Sequence, residues 1–266
     1  MSVALTIAGS DSGGGAGIQA DIKTMAALGV YGTSVITAIT AQNTVTVSAV
    51  HEVPVEVIAA QLDAVLSDFP VGGAKTGMLS SRAIIETVQQ KIRQYDIRNL
   101  VIDPVMVAKS GDRLLRGDAI DALRQLLPLA LVITPNIPEA EVLTGMAIRD
   151  EVEREDAARR LHEMGPQWVV IKGGHLPGAP VDLLWDGRRT RRLQAERIET
   201  TSTHGTGCTF SAAIAALLSI GADVEMAIVE AKEFVTEAIT YAEPLGRGHG
   251  PLKHHYRQEQ GVARGR

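Results

Sequence analysis

Residues 3–29 read VALTIAGSDSGGGAGIQADIKTMAALG. The run from Val3 to Ala8 has the length of a buried strand. Gly9 to Gly17 is a polar, glycine-rich loop, and Ala16 to Gly29 follows helical spacing, with glycine at the position that best tolerates a left-handed cap. A strand feeding a helix is one unit of a parallel sheet, because parallel neighbours need a crossover. The unit then repeats. Strands are predicted at TSVITAITA (33–41), GAKTGML (73–79), NLVIDPVM (99–106), ALVITPN (130–136) and WVVIKGG (168–174). Helices are predicted at 55–69, 81–95, 118–127, 138–145, 152–165, 206–220 and 224–242. VDLLWDGRRTRRL (181–193) reads as a hairpin turning at Asp186-Gly187. This alternation predicts an α/β fold with a central, mostly parallel sheet and helices on both faces. No linker, repeat or low-complexity tract interrupts residues 1–266, so one domain is expected, with the last ten or so residues frayed.

The bulk numbers narrow the class. Hydrophobic residues make up 45% of the chain, which suits a globular core, and aromatics only 3%, so small aliphatic residues must fill it. A net charge of -5 argues against nucleic acid as the main partner. One cysteine forms no intramolecular disulfide and builds no cysteine metal site. No stretch has the length of a membrane span, and the run near the N-terminus is too short for a signal sequence. A cytoplasmic protein is expected.

In an open parallel sheet, ligands bind beyond the carboxyl ends of the strands. Polar or glycine-rich stretches follow strand after strand: GSDSGGGAG, AQNT, TGML, DPVM, TPNIPE, KGGH and THGTGC. GSDSGGGAG fits neither GxxxxGK[ST] nor GxGxxG. It offers flexible backbone at a helix start. In TPNIPE, Asn136 can cap the next helix, and Glu139 lies in its first turn. Glu139 either favours the helix dipole or orders water around Mg²⁺, a task Asp103 could share. THGTGC (203–208) places backbone N–H groups at a helix start, an anion hole whose field would lower the Cys208 pKa. Read alone, Cys208 is a small packed helix residue. A Cys–His hydrolase with His204 is the nucleophilic alternative, and the surrounding glycine loops and acids speak against it.

These motifs, in this order, resemble the hydroxymethylpyrimidine/phosphomethylpyrimidine kinases of thiamine biosynthesis, within the ribokinase-like superfamily. The likeness runs from LTIAGSDSGGGAGIQADIKT through TAITAQNT, KTGML, VIDPVMVAKSGD, ITPNIPEAEVL and IKGGH to THGTGCTFSAAIAA and the GHGPL tail. Gly13 stands where the family often has serine. The resemblance implies a three-layer α/β/α fold and ATP- and Mg²⁺-dependent phosphorylation of 4-amino-5-hydroxymethyl-2-methylpyrimidine, then of its monophosphate. It implies that Cys208 takes the hydroxyl proton, with Gly205, Thr206 and Gly207 forming the anion hole. Asp103 and Glu139 match acids near Mg²⁺, and Lys172 and Thr203 match ATP-side positions. Asp21 and Gln42 match residues that hydrogen-bond the pyrimidine, while Gly9 and Met78 match its pocket wall. A homodimer is implied, and 107–115 is the candidate mobile segment. The nearest rival is a pyridoxal or pyridoxine kinase, since vitamin B6 also carries a hydroxymethyl group. A non-catalytic sensor of the same fold is disfavoured, because it need not keep Asp103, Glu139, Lys172 and Cys208 together.

Overall fold

The computed structural model describes residues 1–107, 111, 114, 117–174 and 179–258. Nine strands form one sheet, and their order explains where a ligand can sit. In chain order the elements are β1 (Val3–Asp11), α1 (Gly17–Ala27), β2 (Tyr31–Gln42), β3 (Val47–Glu52), α2 (Val55–Leu66), β4 (Val71–Thr76), α3 (Arg82–Gln94) and β5 (Leu100–Ile102). Then come α4 (Ala119–Leu126), β6 (Val132–Ile133), α5 (Ile137–Thr144), α6 (Glu151–Glu163), β7 (Trp168–Ile171), β8 (Val181–Trp185), β9 (Thr190–Gln194), α7 (Thr206–Ser219) and α8 (Val224–Thr240). The sheet order is β3-β2-β1-β4-β5-β6-β7-β8-β9. β2 through β7 in that order run parallel, β3 at one edge and β8 near the other run antiparallel to them, and the edge strand β9 pairs antiparallel with β8. The chain leaves β1 in one direction for β2 and returns on its other side as β4. That reversal opens a crevice at the carboxyl ends.

Helices α2 to α6 pack on one face, around Leu62, Ile85, Leu123 and Leu161. Helices α1, α7 and α8 cover the other, around Met25, Ile214, Phe234 and the C-terminal Leu252 and Tyr256. This is the expected three-layer arrangement. The scarcity of aromatics has a counterpart in α7, where Ala212, Ala213, Ala215 and Ala216 are all fully buried. The helix lies so close to β4 that a Cβ on Gly73 would sit 2.3 Å from the Ala215 carbonyl oxygen.

One strand differs from the expectation. The stretch 47–52 forms β3, joined to β2 by a turn in which Asn43 Oδ1 accepts from the Val45 and Thr46 amides. Most of β3 is exposed, so no buried face marks it in the sequence. Most of 107–115, and 259–266 of the tail, lie outside the described residues.

Candidate active site

The carboxyl ends of the strands frame a cavity of about 800 Å³. It runs along the sheet edge from β2, β1 and β4 to β7, β8 and α8. Gly9, Gln42, Met78, Asp103, Glu139, Lys172, Thr203, Gly205, Thr206, Gly207 and Cys208 all line it. Residues from all seven polar or glycine-rich stretches at the strand ends thus meet in one place. Toward α8 the wall carries the apolar side chains of Phe210, Val235, Ile239 and Ile198, with Lys232 and Thr236 beside them.

α7 starts at this wall. Gly205 adopts φ +84°, a left-handed conformation suited to glycine, and a Cβ there would lie 1.8 Å from the Gly15 carbonyl oxygen. The THGTGC loop therefore rests directly on the glycine loop after β1. Thr206 donates its hydroxyl to the Thr203 carbonyl at 2.7 Å, which closes the turn. The Thr206 amide donates back to the Thr203 carbonyl at 3.4 Å, and the Gly207 and Cys208 amides that follow belong to the helix turn in which N–H groups lack helical acceptors, as an anion site requires. A Cβ on Gly207 would lie 3.2 Å from Lys172 Nζ, so glycine lets the ammonium approach the helix start.

Lys172 Nζ donates to Asp103 Oδ1 at 2.9 Å. Ser211 Oγ reaches Asp103 Oδ2 at 3.3 Å. Asp103 and Glu139 together hold the Lys172 ammonium above its ordinary pKa, against its own burial. Glu139 completes a capping box: its Oε2 accepts from the Asn136 amide at 2.8 Å, and its own amide donates to Asn136 Oδ1 at 2.8 Å. Burial pushes its carboxyl up to about 7; Lys172 opposes that and the Asp103 charge adds to it. Structural capping and membership of the charged cluster coexist in this residue. A cation brought to these two acids would relieve their mutual repulsion.

Two expectations need correction. Asp21 is fully buried and is not part of the cavity wall. Both its oxygens accept from Lys75 Nζ, at 3.1 and 3.0 Å, and Thr6 donates to Oδ2 at 2.6 Å. Its carboxylate is thus spent on a buried pair behind the cavity, and the direct ligand contact expected of it is not met by this geometry. The Cys208 thiol is pushed up to about 11 rather than down. Burial is the largest cause and outweighs the Lys75 charge, while Asp21 and Asp103 push further upward. That shift is opposite to a thiolate–imidazolium pair, and His204 Nε2 is committed elsewhere, 2.9 Å from Asp11 Oδ2.

Asp11 is the residue that the sequence reading missed. It accepts from the Gly13, Gly15 and Ala16 amides and so shapes the whole glycine loop. Burial pushes its carboxyl up, but the His204 hydrogen bond and the loop amides together hold it below its ordinary value. The available signal was Asp-Ser-Gly, an Asx-turn pattern. A Cβ on Gly15 would lie 2.3 Å from His204 Cδ2, which fixes glycine there.

Comparison with known proteins identifies the family of the chain. Residues 11–253 match the family model described as phosphomethylpyrimidine kinase. The chain is 55% identical over 252 residues to the thiamine biosynthesis bifunctional protein ThiED of Geobacter sulfurreducens; the match covers 94% of this chain and only 51% of that protein. It is 54% identical over 260 residues to the hydroxymethylpyrimidine/phosphomethylpyrimidine kinase of Rhizobium meliloti, covering 96% of this chain and 97% of the relative. Among solved structures, the ADP complex of Bacillus subtilis pyridoxal kinase superposes with a TM-score of 0.90 at 45% identity, covering 97% of this chain and 99% of the other. By the extent and identity of these matches, the chain belongs to the phosphomethylpyrimidine kinase family.

Proposed function

We propose that the chain uses ATP to phosphorylate the hydroxymethyl group of 4-amino-5-hydroxymethyl-2-methylpyrimidine, and then its monophosphate to the diphosphate. The observation that carries this reading is the position of Cys208. It lies in the first turn of α7 and lines the same cavity as Gly9, Gln42 and Met78 and the Asp103–Lys172 pair. A ring at the wall of Gly9, Gln42 and Met78 would present its alcohol to the Cys208 sulfur, and the thiolate form of Cys208 would accept the proton. The Gly205, Thr206 and Gly207 turn and Lys172 would hold the transferring phosphoryl group, since such transfer asks mainly for positioning and charge stabilisation. Asp103 and Glu139 would hold Mg²⁺, through water as that ion prefers, and Mg²⁺ would neutralise charge on the ATP phosphates. Thr203 joins the ATP side, and the apolar side chains toward α8 would accept the adenine.

Residues 1–266 are proposed to act as one kinase domain. No helix of the described residues is long and apolar enough to cross a membrane, and a single unpaired cysteine suits the cytoplasm. The exposed edge strand β3 is the proposed contact of a homodimer, which sedimentation velocity tests. The purified protein should be given Mg-ATP with the pyrimidine alcohol, its monophosphate and pyridoxal in turn, and the products weighed by mass spectrometry. Diphosphate from the monophosphate supports the proposal. Activity on pyridoxal alone favours the second reading, a pyridoxal kinase, for which the likeness to the Bacillus subtilis enzyme speaks.

A further inference from the structure

Gln42 belongs to a hydrogen-bonded chain that decides which way its amide faces. One end of that amide lies 3.3 Å from His204 Nε2, and the other lies 3.0 Å from Thr40 Oγ1. His204 Nε2 is also 2.9 Å from Asp11 Oδ2. That oxygen already accepts from the Gly15 and Ala16 amides at 3.1 and 2.8 Å, so it is a carboxylate acceptor. His204 Nε2 must therefore carry a proton and donate. A second donor cannot face it. Thr40 Oγ1 has a single proton, and the Ser10 carbonyl lies 3.0 Å away to take it. With its NH₂ toward His204, Gln42 would oppose two N–H donors and ask the Thr40 proton to serve two acceptors. The reverse orientation removes the opposed donors, which no geometry satisfies, and frees the Thr40 proton for Ser10; the single His204 Nε2–H then makes a three-centre bond, chiefly to Asp11 Oδ2 at 2.9 Å and more weakly to the Gln42 oxygen at 3.3 Å. Amide ends are told apart only by their partners.

We infer that Asp11 and His204 position Gln42, turning its carbonyl oxygen to the imidazole N–H and its NH₂ to Thr40, so that one N–H and one oxygen lone pair of fixed sense face the cavity. His204 is a positioning residue that acts through Gln42. The inference rests on the proposed reading of Gln42 as a ligand contact. It extends that reading by making ligand selection depend on His204 through the sense of the Gln42 amide. A fixed amide can offer donor and acceptor to a ring carrying an acceptor nitrogen and an amino donor. A freely turning amide would lose that sense.

Two measurements test this. Nitrogen-15 spectra of the histidine side chains in the free protein should show a proton on His204 Nε2, whatever the substrate proves to be. The Nδ1–H tautomer would overturn the inference. Calorimetry then follows the pyrimidine alcohol in His204→Leu, Gln42→Ala and the double variant. His204→Leu should weaken binding about tenfold, the size of one hydrogen bond. The double variant should bind no more weakly than Gln42→Ala alone. His204→Gln, which keeps a donor, should recover most of the loss, and ATP affinity should stay within about twofold throughout. Additive losses, or equal losses for ATP, would overturn the positioning role. If the wild type binds pyridoxal and not the pyrimidine, the substrate reading fails. The same cycle, run on pyridoxal, then decides the inference separately.

Discussion

Cys208 carries the strictest residue-scale consequence. With its thiol pushed up to about 11, the thiolate is roughly 10⁻⁴ of the free protein at pH 7. If it is the base, the rate of the chemical step should climb with pH through 7 to 9.5, by up to about tenfold per unit. Cys208→Ala should lower kcat by about 10²–10⁴-fold and leave the pyrimidine KM within a few-fold. Steady-state rates with a pH-matched Cys208→Ala control check both, and a flat wild-type profile would remove Cys208 from the proton transfer. At this scale the sequence was a good guide to what stands at strand ends. Asp103, Gln42, Glu139 and Lys172 all reach the cavity, because a parallel sheet aims every carboxyl end at one edge. It was a poor guide to the competition among causes. The anion-hole field at Cys208 was foreseeable from the motif. The burial that overrides it depends on packing by α1 and β4, which no local stretch encodes.

The element that organises the site is α7, and its seat on β4 depends on side chains that are missing. Gly73→Ala would push a methyl against the Ala215 carbonyl, 2.3 Å away, and lift the helix that carries Cys208. It should cost about 1–3 kcal/mol in urea unfolding and lower kcat as well, since the helix start moves with it. Two residues along β4, on the same side, Lys75 is wholly buried against Asp21 of α1. Asp21, Cys208 and Asp103 hold its ammonium above the ordinary value despite its burial. Lys75→Met leaves a buried carboxylate without its counter-ion, a loss of about 3–5 kcal/mol. Pairing it with Asp21→Asn should restore most of that stability, because the amide needs no counter-ion. Failure of the second change to help, read by the same urea titration, would mean that the lysine stem and not the charge matters. The buried pair explains a limit of the sequence reading. An acid four residues into a helix and a lysine in a strand look solvated when taken singly. Only the β4–α7–α1 contact turns them into one interior feature.

Across the whole molecule, the C-terminal segment ties distant parts of the site together. The Gly248 and His249 amides bond to Thr44, at the turn after β2, and the His204 amide donates to the Gly250 carbonyl beside the anion hole. Leu252 and Tyr256 then bury against α7 and α8. The GHGPL stretch was legible as a motif, but its clamping role was not, because its partners lie about 45 to 205 residues away. His254 anchors this clamp. It is almost fully buried, with its Nε2 2.9 Å from Thr209 Oγ1 on α7, and burial lowers its pKa to about 4. The unfolded chain, with its histidine near 6.5, binds this proton more readily than the folded one between those two values. Folding stability therefore rises with pH there. The contribution is present above about 6.5 and is lost as pH falls toward 4, about 3 kcal/mol in all. Urea unfolding of the wild type should lose about 2 kcal/mol between pH 7 and pH 5 through this group. His254→Gln, which offers Thr209 a neutral partner that does not titrate, should shrink the difference between those two pH values by that amount. An unchanged pH dependence in the variant would place the acid sensitivity elsewhere and leave the clamp without its proton-linked anchor.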